Sequence, residues 1–446
     1  MSFPRYPSYK DSGVPWLGDV PAHWLVQPLK HAVQFRSGGT PDKSNREYWD
    51  GDIPWASAKD LKVDNLYDTV DHITQQAVEE GAATLVDQGA VLVVVRGMIL
   101  ARTFPVVTAR SPMAINQDLK ALRANKHMGK EFLPWLLRGT EPETLDRLDE
   151  AGHGTKALRM DAWGAMLIPV PPLEEQVAIT AFLDSETAKI DALVAEQDRL
   201  IELLKEKRQA VISHAVTKGL DPSVPMKDSG VEWLGEVPAH WQVMPIKRDI
   251  EFVTSGARGW AENYTDEGDL FIRIGNLTRD SIRLDLSDTQ RVTVPESAEV
   301  ARTQVRAGDV LFSITAFLGS VAVVPPGLGR AFVSQHVALV RPRGRQLQPE
   351  WIAYVTASDV GKTCLESLGY GGTKVQLSLS DVSSLLVTVP PLCEQETLTR
   401  FLDRETTSFD ALILEAQSAI ALLQERRSAL IFAAVTGQID VRNQMA

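Results

Sequence analysis

The 446-residue sequence predicts an α+β protein. Two mixed α/β domains in internal pseudo-repeat are separated by two long helices forming an antiparallel coiled coil. Three observations carry that expectation. The phrase KDSGVPWLGDVPAHWLVQPLK at residues 10–30 returns as KDSGVEWLGEVPAHWQVMPIK at 227–247, and 10–33 agree with 227–250 at 16 of 24 positions. VPPLEEQVAITAFLDSETAKIDAL from Val170 returns as VPPLCEQETLTRFLDRETTSFDAL from Val389. Between these matched ends lie two middles, 31–166 and 248–386, rich in glycine and short β-type runs and largely unlike each other.

The expected order is a framework and first domain over 1–170, a spacer helix over 171–220, a second domain over 221–389, and a second spacer helix with a tail over 390–446. Trp16, Trp24, Trp233 and Trp241 sit inside the repeated phrase, which suits anchors of a shared scaffold. In the middles, GAVLVVVRG from Gly89 and GDVLFSITA from Gly308 each read as a turn followed by a buried strand. Pro171-Pro172 then halts a strand, and Glu174 and Glu175 fall in a first helical turn, where the dipole favours acids. Apolar residues recur at Phe182, Leu183, Ile190, Leu193, Leu200, Ile201, Leu204, Val211 and Ala215, a helical spacing close in places to a heptad. Lys218-Gly219 supplies a stop. Such a helix reaches about 65–70 Å. Its counterpart runs over 392–436 through Phe401, Leu402, Leu412, Leu422, Leu423, Leu430 and Val435. A stripe that long is exposed unless the two helices pack on each other as a central spacer; the alternative is that each folds against its own domain.

Hydrophobic content of 44% and charged content of 23% fit two or three cored globular domains. The start MSFPRYPSYKDSG lacks a basic segment followed by an apolar run, and AVLVVV at 90–95 is too short to span a bilayer, so the chain reads as cytoplasmic with no membrane partner. Cys364 and Cys393 make neither a disulfide framework nor a four-cysteine zinc site; both are expected to be reduced and structural. A net charge of −12 argues, by itself, against a nucleic-acid binder. The two helical stretches account for −7 of it, however, which leaves the middles nearer neutral. No nucleotide loop, zinc-protease helix or nucleophile elbow is present. SGGTP at 37–41 lacks a strand-to-helix phosphate pattern. VPPL precedes a helix and is not the acidic-or-polar, Pro-Pro, aromatic loop of an amino-methyltransferase.

WLGDVPAHW and WLGEVPAHW, PPLEEQ and PPLCEQ, and the two FLD-x-ET stretches at 182–187 and 401–406 resemble the specificity subunit of type I restriction–modification systems over nearly the whole chain. The resemblance implies two target-recognition domains, each reading half of a split, asymmetric double-stranded DNA sequence. It implies a helical ruler that sets the gap between the halves. It also implies two modification (methyltransferase) subunits methylating adenine, and restriction subunits that translocate DNA. On this reading the chain is no enzyme and binds no metal or cofactor itself; S-adenosylmethionine, ATP and Mg2+ belong to the partners. A specificity subunit serving a fused restriction–modification polypeptide keeps the same architecture, and a protein scaffold without DNA binding is a further alternative. A one-base change in the gap rotates one half-site against the other by about 34°, so spacing must be rigid.

Base readout needs forked or planar donors and acceptors: Arg or Lys to guanine, Asn or Gln to adenine. In the first domain the candidates are Thr40, Lys43, Asn45, Arg46, Ser57, Lys59, Arg96, Asn116 and Gln117. In the second they are Arg258, Arg273, Asn276, Thr315 and Gln335. GHGTK at 152–156 and GYGGTK at 369–374 are glycine loops that can set Lys156 and Lys374 against DNA, or simply make tight turns.

Overall fold

A computed structural model of the chain describes residues 3–152, 154–256, 258–294, 299–315, 318–369 and 376–442. The chain divides into two compact units, residues 1–197 with 418–446, and residues 198–417. Each unit holds one opening phrase, one middle and a part of both long helices.

In the first unit Val33–Ser37, Leu119–Ala124, Val91–Val94, Val106–Ala109 and Asn65–Leu66 form a five-stranded sheet in that order. A four-stranded sheet sets Asp71–Ile73, Trp49–Ala56, Met113–Ile115 and Thr84–Val86 side by side. The Trp49–Ala56 and Met113–Ile115 strands run parallel. The run VLVV at Val91–Val94 is wholly buried, which is why it shows no polar alternation. The second unit repeats the plan with four strands in each sheet. Ile250–Ser255, Val337–Pro342, Val310–Ser313 and Val321–Val323 form one; Tyr264–Thr265, Gln290–Val292, Asp269–Ile272 and Ala331–Val333 form the other. Asp269–Ile272 and Ala331–Val333 are again parallel.

The long helices are Leu173–Lys218 and Leu392–Val435. Their starts explain the repeated phrase. Trp24 is fully buried and its Nε1 donates to Glu175 Oε2 at 3.0 Å, while His23 Nε2 meets Glu175 Oε1 at 2.5 Å. In the second unit Trp241 Nε1 donates to Glu394 Oε1 at 3.1 Å, and His240 Nε2 lies 2.8 Å from Glu394 Oε2. Lys10 and Lys227 each donate Nζ to the carbonyl of their tryptophan at 2.5 Å. The next glutamine completes the mount. Gln176 accepts from Gly129 N and donates to His127 O and Pro171 O; Gln395 accepts from Gln348 N and donates to Gln346 O and Pro390 O. A buried amide with every partner supplied, beside a carboxylate that is buried at Glu175 and half-buried at Glu394, is specific about what may surround it. That is a physical reason for two copies to keep the same words. Trp16 and Trp233 are half-buried.

Two further interactions recur. Trp135 Nε1 donates to Asp184 Oδ1 at 3.0 Å and Tyr354 Oη to Asp403 Oδ1 at 2.6 Å, both acids lying in the FLD-x-ET stretches. Arg427 pairs with Asp191 at 2.8 Å inside the first unit, and Arg208 with Asp410 at 3.3 Å inside the second. Each pair joins one long helix to the other. Gly219 and Gly437 follow the helices with φ of +73° and +77°, the left-handed turn that ends a helix, and each lies against the indole of its unit, Trp241 or Trp24. Both thiols are free; Cys364 packs in the core, whereas Cys393, expected to be structural, is exposed.

Among the described residues, no helix is long and apolar enough to cross a membrane.

Candidate functional site

Four strands of the first unit end at one place. After Val33–Ser37 the chain enters Gly38, where a Cβ would stand 2.1 Å from Asn116 O, and Gly39 N donates to Ile115 O. Trp49–Ala56 ends there because Asn116 N donates to Ala56 O at 2.9 Å. Val91–Val94 ends there because Val95 N donates to Asp118 O at 2.8 Å. Met113–Ile115 runs directly into the same Asn116-Gln117 turn. Strand ends leave backbone and side chains free of ladder geometry, which is where binding residues concentrate on a rigid scaffold.

Most first-domain candidates meet at this end. Thr40 Oγ1 donates to Gln117 Oε1 across the turn. Ser57 follows Ala56, its N and Oγ both donating to Asp60 Oδ2 at 2.9 Å. Arg96 and Lys156 lie on adjacent antiparallel strands, in register Arg96 with Ala157 and Gly97 with Lys156. Asn116 is buried, and its Oδ1 accepts from Asp118 N, so its side chain serves the turn. Lys43, Asn45 and Arg46 lie further out, on a loop held by Trp55 Nε1 donating to Gly39 O and Trp49 Nε1 donating to Asp42 O. Asn45 caps a single helical turn there, and Lys43 and Arg46 are exposed. Lys59 turns away to Asp71 at 2.7 Å.

The second unit builds the same end from other residues. Gly256 would bring a Cβ to 2.0 Å from Val333 O, and Ser334 N donates to Ile272 O. Arg273 therefore takes the place of Ser57, and Thr315 that of Arg96. Thr315 Oγ1 lies 3.2 Å from His336 Nδ1, and Gln335 Nε2 lies 3.3 Å from His336 Nε2. Thr315 also bridges to Gln376, as Arg96 does to Ala157. Asn276 is 3% exposed; it accepts from Arg273 N and donates to Asp285 O and Asp288 O, so its amide is fully occupied. Arg258 is exposed on the loop after Ile250–Ser255. Lys374 lies outside the described residues.

His336 is a member that sequence reading missed. The match of Gln117-Asp118 to Gln335-His336 within AINQDL and FVSQHV was the signal for it.

Three candidate cations already hold carboxylates: Lys59 with Asp71, Lys156 with Glu150 at 2.9 Å, and Arg273 with Asp288 at 3.1 Å. The hydrogen bond to Asp71 raises the Lys59 ammonium above its ordinary value, and that from Lys156 lowers the Glu150 carboxyl. Exposed pairs of this kind are weak, so a phosphate or base edge can take either cation at little cost. Among the described residues, no group of three or more His, Cys, Asp or Glu could hold a metal ion.

Residues 21–203 match the family described as type I restriction modification DNA specificity domain. The chain is 23% identical over 282 residues to the type I restriction enzyme EcoBI specificity subunit of Escherichia coli, covering 62% of this chain and 59% of that one. The chain thus spans about three fifths of that relative's length. It is 21% identical over 437 residues to a type I restriction enzyme specificity subunit, MjaX, of Methanocaldococcus jannaschii, covering 96% of each. Its fold is shared with a solved chain described in connection with complex assembly of the type I R-M system, at a TM-score of 0.70 and 18% identity, over 93% of this chain and 98% of the other. With two mixed α/β units and two long helices, the chain is similar over residues 21–203 to the type I restriction modification DNA specificity domain, and over nearly its whole length to type I restriction enzyme specificity subunits.

Proposed function

We infer that this chain is the non-catalytic, sequence-reading subunit of a type I restriction–modification complex. It binds a bipartite asymmetric double-stranded DNA target, one half per unit, and directs adenine methylation or restriction by partner subunits. The observation that carries this reading is the contrast at the strand ends. Equivalent positions on the same mount carry Arg96 and Ser57 in one unit, and Thr315 and Arg273 in the other. A scaffold serving one repeated ligand has no reason to change those donors while keeping Trp24, Glu175 and Gln176. Two ligands of one chemical kind and different pattern, such as two stretches of base edges, require that change.

Within the strand-end sets, Thr40, Ser57, Arg96, Gln117 and Lys156 read one half-site, and Arg273, Thr315, Gln335 and His336 the other. Lys43, Arg46 and Arg258 hold phosphates beside them. The recognition domains extend over 1–170 and 221–389 in this proposal. The two long helices pair antiparallel as a coiled coil, supported by the Arg427–Asp191 and Arg208–Asp410 pairs, and hold the halves at a fixed gap. Two modification subunits dock on that pair. Leu193 and Leu422 are exposed in the first unit, and Leu412 and Leu203, their counterparts in the repeat, in the second. Two matching apolar patches suit two copies of one partner. S-adenosylmethionine, ATP and Mg2+ are then the partners' to bind, and the complex works in the cytoplasm.

The test is to express the chain with its methyltransferase subunits in a methylation-free host and map modified adenines across the genome. One split motif of constant gap, absent when this chain is omitted, is expected. Methylation at an undivided motif, or the same motif without this chain, contradicts the proposal.

A further inference from the structure

The two copies of the scaffold differ sharply at one place outside the strand ends. In the second unit Arg341 is 9% exposed. Asp309 grips it with two hydrogen bonds of 2.8 and 2.7 Å, and its guanidinium lies 4.7 Å from the centre of the Phe252 ring. Strand register identifies Arg123 as its counterpart. Arg123 faces Gln34, and Arg341 faces Phe252; Leu122 faces Val91, and Val340 faces Val310. The first unit thus keeps the arginine and loses both groups that satisfied it. Ala90 stands where Asp309 does, and Gln34 where Phe252 does.

The result is an open cavity of about 330 Å³ lined by Arg36, Arg123, Lys130, Asp87, Gln34 and Gly89, among others. Arg123 reaches only Asp87, at 3.6 Å, with both side chains 73% exposed. Arg36 donates Nη1 to Leu85 O, and among the described residues neither it nor Lys130 has a carboxylate partner. Three cations therefore face one screened carboxylate. In the second unit the place of Arg36 is taken by Thr254, which is buried and receives Arg302 Nη1 at 2.8 Å. The same position is thus filled in one copy and left open and basic in the other. Arg36 lies two residues before Gly38, whereas Gly89, Arg123 and Gln34 lie at the opposite ends of their strands, so the cavity runs along the sheet away from the strand-end set.

We propose that this cavity of the first unit is a phosphate-binding site, occupied by the backbone phosphodiester of the DNA held at the strand ends. The proposal rests on the DNA-reading function inferred above. Guanidinium groups offer forked donors matched to phosphate oxygens, and Lys130 adds a point charge. Contacts of this kind carry no sequence information; they fix the register in which base readers meet the groove. The second unit, with Arg341 neutralised by Asp309, lacks the equivalent anchor, so the two halves of the target are held unequally.

The test measures binding of the full chain, assembled with its modification subunits, to a duplex carrying its target and to a scrambled duplex over a range of salt. The variants are R36Q/R123Q/K130Q, all exposed positions, and A90D, which restores the carboxylate of the second unit while keeping every cation. For the triple variant the expected result is an affinity about tenfold lower for both duplexes, with the slope of log affinity against log salt shallower by about two to three and the target-to-scrambled ratio unchanged. A90D is expected to move the slope by about one. An unchanged affinity and slope in the triple variant, or a changed ratio, overturns the assignment. Saturable binding of inorganic phosphate without DNA, lost in the triple variant while duplex affinity is kept, assigns the cavity to a free phosphate and also overturns it. A wild type that binds both duplexes alike refutes sequence reading, yet a slope lowered in the triple variant still supports the phosphate site. A wild type that binds neither refutes both.

Discussion

The helix-start mounts and the strand-end faces are both present twice, and they behave oppositely. The mounts are the same to the atom: indole and imidazole on one carboxylate, and a glutamine closing three backbone groups, at 23–24 with 175–176 and at 240–241 with 394–395. The strand ends share their backbone and one glutamine, Gln117 and Gln335, and differ at the other candidate positions. Buried polar groups lose their partners if any member changes, and each loss costs about 1–3 kcal/mol. Exposed donors at a strand end pay no such penalty and are free to diverge. The frame is fixed by burial, and the strand-end face is released by exposure.

The largest effect expected from breaking this comparison is at the mounts. Trp24→Ala and Trp241→Ala each remove a fully buried indole and leave an acid short of one of its two ring partners, at a cost of about 3–5 kcal/mol. Urea unfolding is expected to show a transition lowered for the unit that carries the change. The Asp309 and Asp87 positions come next. Asp309→Asn breaks a buried pair and costs about 3–5 kcal/mol, whereas Asp87→Asn at the counterpart cation stays within about 0.5 kcal/mol. Equal losses in thermal melts would erase the distinction between the filled and open copies. Gly38→Ala and Gly256→Ala push a methyl to within 2.1 and 2.0 Å of backbone oxygens, at a cost of about 1–3 kcal/mol each. Because both glycines seat the reading turn, hydrogen exchange is expected to quicken at residues 115–118 in one variant and 333–336 in the other.

The smallest effect concerns the chain's end in the first unit, where Asp440 N donates to Pro4 O. A hydrogen bond from Arg442 is the main cause holding the Asp440 carboxyl below its ordinary range. A carboxyl lowered on folding contributes stability that is complete above its unfolded pKa and lost as pH falls through the folded one. Asp440→Asn is expected to flatten the fall of melting temperature on acidification below about pH 4, with little change at neutral pH.

Repetition made the frame legible in the sequence. Pro171-Pro172 and the acids after it marked where the first long helix begins, because helix signals are local, but the apolar spacing did not mark its buried face, since Leu193 and Leu200 of that series are exposed. Glu175 was legible as a first-turn acid but not as the acceptor for Trp24, 151 positions earlier. The candidate site was legible as a set and not residue by residue. Ser57 and Arg273 hold equivalent places through a backbone bond to the residue after a parallel strand, which no local pattern announces. Asn276 looked like an adenine reader by type, yet its amide is consumed by two carbonyls and one amide of its own loop. The open cavity was invisible in sequence, since Arg123 and Arg341 are the same residue type. Only the loss of Asp309 and Phe252 opposite one of them separates the two.

In the proposed function each unit reads its own half of one DNA target. It is tested most directly by mapping modified adenines genome-wide for the wild type and for Arg96→Ala and Gln335→Ala, each assembled with the methyltransferase subunits. Each substitution is predicted to relax about one base pair, by about 1–3 kcal/mol of discrimination, in one half of the motif while the other half and the gap stay unchanged. Relaxation of both halves by a single substitution, or a changed gap, would contradict the account.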